Sequence, residues 1–337
     1  MRIRIFPLLL FLYASATALA AVTVTTPENN GYVSYLAEYT ATATTTCSKG
    51  VASMGVYVNN QLVYVANGAS LRTLVTLSSG RQQTVVEEWD YCGGASYTPI
   101  GVTVLGTTLW NLQGSGGWNG WGELAPSYAI CSSCTGVLWS LWQHQSSPSL
   151  TGNANRYNLE GLVPYSDALW SLPVLGQNST QNIPDASHTL LPGLHNFTYD
   201  AYFYVTNADV TQAIEFDISM YMNGAGMIWG QQCDNLGGGT WEIWDNVNAK
   251  WISTGAPCDF VNNAWNHVTI QVQRESNNTL LYQSITLNGV TYELNWAYAP
   301  FSVPAGWWGV TLNYQMDGNY YQASNVTYLD KFNFTYW

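Results

Sequence analysis

The sequence predicts an all-β chain built from two sandwiches, and three observations carry that prediction. Apolar residues at helical spacing are nearly absent along all 337 positions. Short runs alternate apolar and polar residues instead, the period of a strand with one covered face. Dipeptides that close tight hairpins, Asn59-Asn60 and Asn288-Gly289, stand between such runs.

Residues 1–20 read as an export signal rather than part of the fold. Arg2 and Arg4 precede an apolar run from Ile5 to Tyr13, and Ala18-Leu19-Ala20 supplies small residues for cleavage. That run is too short to span a bilayer, and no later stretch approaches 18 uninterrupted apolar residues. A soluble, secreted protein is the expectation. Six cysteines in such a chain read as disulfides. Nearest-neighbour pairing gives Cys47–Cys92, Cys131–Cys134 and Cys233–Cys258.

The first domain is assigned to residues 21–105. Val22–Thr25, Tyr39–Thr46, Met54–Val58, Leu62–Val65, Leu71–Leu77, Thr84–Asp90 and Gly101–Leu105 supply seven short strands, enough for a β-sandwich. The pattern Val22-Thr-Val-Thr-Thr-Pro-Glu-Asn-Asn-Gly31, with Met54-Gly-Val-Tyr-Val-Asn59 and Val85-Val-Glu-Glu-Trp-Asp90, resembles bacterial immunoglobulin-like domains of secreted proteins. The resemblance implies a spacer rather than a catalyst.

The second domain is assigned to residues 106–337. It opens on a Gly/Trp stretch, Gln113-Gly-Ser-Gly-Gly-Trp-Asn-Gly-Trp-Gly122, expected to form an ordered loop. Residues 126–195 hold many turn formers and no long periodic pattern, with at most a turn or short strand at Val137–Gln143. From Asn196 onward the strands are plain. Ala213–Met222 sends Ile214, Phe216, Ile218, Met220 and Met222 one way and Glu215, Asp217, Ser219 and Tyr221 the other. Met227–Gln232, Trp241–Trp244, Trp265–Arg274, Leu280–Leu287, Val290–Trp296, Trp307–Tyr314 and Tyr328–Tyr336 follow. Long antiparallel strands with one polar face describe a jelly-roll sandwich.

Composition narrows the function. The net charge is −12, yet only 9% of residues are charged, while 14% are aromatic, including 16 Trp and 23 Tyr. Nine Lys+Arg against 21 Asp+Glu give no basic footprint for nucleic acid or an anionic membrane. A surface poor in charge and rich in Trp, Tyr, Asn, Ser and Thr suits neutral polar ligands, sugars above all. Fifteen of the 16 Trp lie beyond residue 105, more than a core requires. Trp118, Trp121, Trp229, Trp241, Trp244, Trp307 and Trp308, beside Gln231 and Asp245, are therefore the candidate ligand-binding residues.

Glu215 and Asp217 are the candidate reactive pair, since two carboxylates at i and i+2 leave one face of a strand about 7 Å apart. Burying two like charges needs a cation, a shared proton or solvent to compensate them. The tetrad Ile214-Glu215-Phe216-Asp217 resembles the metal-binding strand of legume-type lectins, which have a concanavalin-like jelly roll. The resemblance implies that Glu215 and Asp217 hold calcium, with Asn223 and Asp234 as further oxygen ligands. The next strand lacks the histidine that family uses for its transition metal. The strand also resembles the Glu-x-Asp-x-x-Glu segment of jelly-roll glycoside hydrolases, but Met220 stands where the second Glu belongs. A hydrolase would instead pair Glu215 with Glu242 or Glu293 on another strand. Three readings follow: a calcium-assisted carbohydrate-binding protein, a polysaccharide-degrading hydrolase or lyase led by Glu215, and a non-catalytic adhesion protein.

Overall fold

β-Formers in alternation and left-handed turn residues build this chain almost wholly from antiparallel strands. The computed structural model describes residues 20–33, 36–77, 80–104, 106–124, 137–160, 163–321 and 323–337. The predicted signal segment and the expected Cys131–Cys134 bridge lie outside the described residues. The chain divides into two units, Met1–Leu105 and Gly106–Trp337. No helix among the described residues is long and apolar enough to cross a membrane.

In the first unit β1 (Ala21–Thr26), β3 (Leu36–Thr44) and β6 (Ser70–Thr76) form one sheet. A second sheet runs β2 (Tyr32–Val33), β8 (Ala95–Val104), β7 (Gly80–Asp90), β4 (Val51–Val58), β5 (Gln61–Asn67). Tyr39, Ala41 and Leu71 of the first sheet meet Met54, Val56, Val86 and Ile100 of the second in one core. The Tyr39 hydroxyl donates to Thr84 Oγ1 across that core at 2.9 Å, so burial leaves it partnered. Cys47 and Cys92 are joined, with Cα atoms 5.9 Å apart.

The second unit is a two-sheet β-sandwich. Its nine-stranded sheet runs β10 (Asn119–Leu124), β13 (Ser166–Gly176), β24 (Gly309–Gly318), β15 (Thr211–Met222), β17 (Gln231–Asp234), β18 (Thr240–Asp245), β19 (Lys250–Pro257). β16 (Ala225–Trp229) pairs with β15 beside β17, and β23 (Phe301–Ser302) pairs with β16. The eight-stranded sheet runs β11 (Trp139–Gln145), β12 (Ala154–Leu159), β25 (Asn325–Tyr336), β14 (Asn196–Val205), β20 (Trp265–Arg274), β21 (Leu280–Leu287), β22 (Val290–Tyr298), with β9 (Thr107–Leu109) on β25. Phe216, Trp229, Trp241 and Tyr314 from one sheet pack with Tyr157, Phe197, Tyr199 and Phe203 from the other. Each such ring, fully buried, contributes roughly 2–3 kcal/mol of hydrophobic stabilisation. The Cys233–Cys258 disulfide closes the β17 side, with Cα atoms 5.6 Å apart.

Two-residue turns place the hairpins. Asn288-Gly289 (φ 50° and 83°) joins β21 to β22, and Asn59-Asn60 (49° and 67°) joins β4 to β5. Both take the left-handed conformation that this turn type demands. The segment that showed no long periodic pattern nonetheless contains β12 and β13. In β13, Ala168, Trp170, Leu172 and Val174 enter the core, but Leu169 and Pro173 stand on the other face and blur the alternation. Pro173 sits where the register shifts, at a bulge, where a missing N–H is tolerated.

Candidate functional site

β15 lies inside the nine-stranded sheet, so its two faces meet different surroundings. Ile214, Phe216, Ile218 and Met220 are fully buried in the core. Glu215, Asp217, Ser219 and Tyr221 stand on the outer face, as the alternation requires. Register fixes their neighbours there: β24 sets Gln315 opposite Glu215, Asn313 opposite Asp217 and Thr311 opposite Ser219. On the other side Gln232 of β17 lies opposite Glu215, and Glu242 of β18 opposite Gln232. Two strand spacings therefore separate the Glu215 and Glu242 backbones, about 10 Å.

Glu215 and Asp217 are 6% and 5% exposed, and no Lys or Arg among the described residues forms a salt bridge with either. Arg274 is spent on the carbonyls of Pro192 and Leu194, and Lys331 lies over the Tyr202 ring of the other sheet. Burial therefore dominates their acidity. Glu215 is held well above the usual carboxylate range by desolvation and by the neighbouring charges of Asp317, Asp217 and Asp167. Burial pushes Asp217 up to about 8, although its Oδ1 accepts the Gln231 N–H at 3.2 Å. Asp317 is pushed up to about 6. The Gln315 amide nitrogen donates to Glu215 Oε1 at 2.8 Å and to Asp317 Oδ1 at 2.9 Å, tying the two acids together. Of the compensations that buried like charges allow, protonation is the one these upward shifts favour. Glu242 is raised by partial burial, against the Gln232 amide that donates to it at 2.5 Å.

The calcium set is not assembled. Asn223 lies in the Asn223-Gly224 turn between β15 and β16 (φ 52° and 77°), eight residues along the strand from Glu215 and about 27 Å away at the strand rise. Asp234 shares the outer face but accepts the Gln212 side chain at 3.0 Å and the Gly237 N–H at 2.9 Å. Among the described residues only Cys47, Asp90 and Cys92 bring three acidic, Cys or His ligand atoms together, and those two cysteines are bonded to each other. Glu293 is also displaced. It lies on β22 of the eight-stranded sheet, opposite Ser284, so it cannot face Glu215 across a ligand.

The aromatic candidates divide in the same way. Trp229 and Trp241 are fully buried against Phe197 and Phe216, and Gln231 is buried with them, so none of the three offers a surface to a ligand. Trp118 packs on Tyr157 and Phe332 and donates to the Leu112 carbonyl. Asp245 closes the turn after β18, accepting the N–H groups of Val247 and Asn248. Trp121, Trp244 and Trp307 remain on the outer face of the nine-stranded sheet or at its end. Trp244 packs edge-on to Trp251, and both rest over Gly230, where an added Cβ would fall 2.9 Å from Trp244, 3.1 Å from the Trp251 ring and 3.5 Å from Asp217 Oδ1. Gly230 thus brings an aromatic pair beside a carboxyl group.

At the β15–β16 end of this face, a pocket of about 270 Å³ is lined by Tyr221, Trp307, Trp308, Gln177, Asn178 and Thr311, among others. Trp307 is 48% exposed and meets Tyr221 edge-on at 5.2 Å. Trp308 is mostly buried and rigidly held: His188 stacks on it at 3.9 Å, and its Nε1 donates to Asp185 at 3.2 Å. Gly309 contributes to the pocket wall, and a Cβ there would meet the Leu175 carbonyl at 2.7 Å.

Tyr221, Gln177, Asn178, Gln315 and Asp317 were not singled out by the sequence reading. The signal for the last two was present, because the alternation of β24 runs on through Gln315 and Asp317 past Tyr314.

No family model matches the chain, and no curated protein matches it. Three solved structures show the kind of likeness found. One, from a study of the promiscuous specificity of carbohydrate-binding modules of the β-sandwich superfamily, is 11% identical over 94% of this chain and 98% of its own, with a TM-score of 0.36. Lectin II from Ulex europaeus is 12% identical over 69% of this chain and 98% of its own, at 0.32. A carbohydrate esterase from the Shiga toxin-encoding bacteriophage phi24B is 12% identical over 69% and 99%, at 0.33. Scores of this size mark a distant likeness.

Proposed function

We propose that the second unit binds a neutral carbohydrate on the outer face of its nine-stranded sheet, in a protein exported from the cell. The pocket at Tyr221 and Trp307 carries this reading. Aromatic edges and faces suit the C–H surfaces of a sugar ring, and the Gln177, Asn178 and Thr311 side chains offer uncharged donors and acceptors for its hydroxyls. Trp121, Trp244 and Trp251 extend the aromatic surface along the same sheet. Two disulfides support an oxidising compartment. The first unit is assigned the role of an immunoglobulin-like spacer.

The test is a pull-down of the full chain on a panel of neutral insoluble polysaccharides. Trp307→Ala should weaken retention at least tenfold while the free energy of unfolding in urea changes by less than about 1 kcal/mol, because Trp307 is half exposed. A wild-type chain that no neutral polysaccharide retains would sink the reading.

One observation favours a second reading, hydrolysis. The Gln315 amide holds Glu215 and Asp317 close, and their raised pKa values suit one protonated and one ionised carboxyl group on the same face. Release of new reducing ends by the wild type, abolished in Glu215→Gln with retention unchanged, would establish it.

A further inference from the structure

The outer face of the eight-stranded sheet carries a second feature that the pocket does not involve. Strand register sets Trp142 opposite Arg156, Arg156 opposite Tyr328, Tyr328 opposite Tyr204, and Tyr204 opposite Trp265. These five residues stand in one file across β11, β12, β25, β14 and β20, spanning four strand spacings, about 19 Å. Contacts between them are direct. The Arg156 guanidinium lies 4.3 Å from the Trp142 ring centroid, and Tyr204 meets Tyr328 at 6.0 Å and Trp265 at 5.6 Å, both edge-on. Trp142 is 45% exposed, and the other four are partly exposed.

A shorter file runs beside it. Tyr202 stacks on His267 at 4.3 Å, and Lys331 Nζ sits 5.4 Å from the Tyr202 centroid. Lys331 reaches that place because β25 bulges opposite the Asp200–Tyr202 segment, with Lys331 itself at φ 48°. A bulge of this kind re-aims a side chain, and a lysine held in the left-handed region costs conformational energy.

The exposed charge of this patch is positive. Its two carboxylates, Asp200 and Asp330, are buried and turned to internal partners: His267 and Thr269 for the first, Ser149, Thr151 and Gln113 for the second. Glu160 follows the end of β12, and Glu293 stands on β22, two strands beyond β20. In a chain of net charge −12 with nine Lys+Arg, two cations placed over aromatic rings in one file and its neighbour are a local reversal of sign.

We propose that this face is a second carbohydrate site, distinct from the pocket, and that it takes an extended polysaccharide bearing carboxylates. The aromatic file supplies the contact area for successive sugar rings, and Arg156 and Lys331 pair with uronate carboxyl groups along the chain.

The experiment measures retention of the full chain on immobilised polygalacturonate and on the same polymer with its carboxyl groups reduced. The wild type should bind the acidic polymer at least tenfold more tightly, with affinity falling as salt rises from 20 to 300 mM (chosen conditions spanning Debye lengths of roughly 20 to 6 Å). Arg156→Ala with Lys331→Ala should remove most of that preference, and Trp142→Ala with Trp265→Ala should weaken both forms. Trp307→Ala should leave polygalacturonate binding unchanged, which separates this site from the pocket whether or not the pocket binds sugar. No binding of polygalacturonate, equal binding of its reduced form, or full retention by the Arg156/Lys331 variant would overturn the proposal.

Discussion

The two outer faces of the second unit hold buried carboxyl groups in opposite ways. Asp200, on the eight-stranded sheet, accepts from Thr269 at 3.0 Å and Asn333 at 3.3 Å and lies 2.5 Å from His267 Nε2. Asp217, on the nine-stranded sheet, has one backbone donor and acidic neighbours. Similar burial therefore gives a structural anchor in one place and a proton-holding group in the other. Partners, rather than depth, decide what a buried acid does.

The largest loss of stability should come from removing the anchor. Asp200→Ala removes the buried carboxylate that the Thr269 hydroxyl, the Asn333 amide and one ring nitrogen of His267 share, and should cost about 3 kcal/mol in urea unfolding at pH 7. A loss below 1 kcal/mol would erase the contrast between the faces.

The opposite sign is expected for Asp217→Asn. The folded state holds a proton on Asp217 up to about pH 8, whereas the unfolded chain releases it near 3.8, the ordinary value for an aspartate. Between those limits the folded state binds more protons, so this group's contribution to stability falls as pH rises from about 4 to 8. Asparagine carries no charge at either end, and its side-chain oxygen can still accept the Gln231 N–H. The variant should match the wild type near pH 4 and exceed it by several kcal/mol, on the order of 5, near pH 8. Parallel stability–pH curves for the two proteins would show that the acidic face is compensated by something other than protons.

The contrast between the faces was only partly legible in the sequence. Local periodicity exposed the Glu215/Asp217 face, and Asn288-Gly289 announced its hairpin, because alternation and turn chemistry act between neighbours in sequence. Membership of a sheet does not. Glu242 and Glu293 stand in equally plain strands, yet one shares a face with Glu215 and the other lies in the opposite sheet. Trp229 and Trp241 fit a strand whichever way they point, and only the packing against Phe197 and Phe216 places them inside. Asp317 reaches Glu215 through the β24 register, some hundred residues away in sequence, which no local pattern records. The file from Trp142 to Trp265 is likewise made by register across five strands.

The smallest effect sharpens the contrast at the bulge. Lys331 adopts φ 48°, where a side chain is strained and glycine is not. Lys331→Ala loses the cation near Tyr202 but keeps the strain. Lys331→Gly loses the same cation and relieves it. The difference between the two variants isolates the backbone contribution, and the glycine variant should be the more stable by about 1 kcal/mol. Both should bind polygalacturonate equally weakly, since neither retains the ammonium group. Equal stability of the pair would mean that the surrounding β14 and β25 pairing relaxes around residue 331. The bulge would then be a flexible irregularity rather than a strained device that aims Lys331 at the Tyr202 ring.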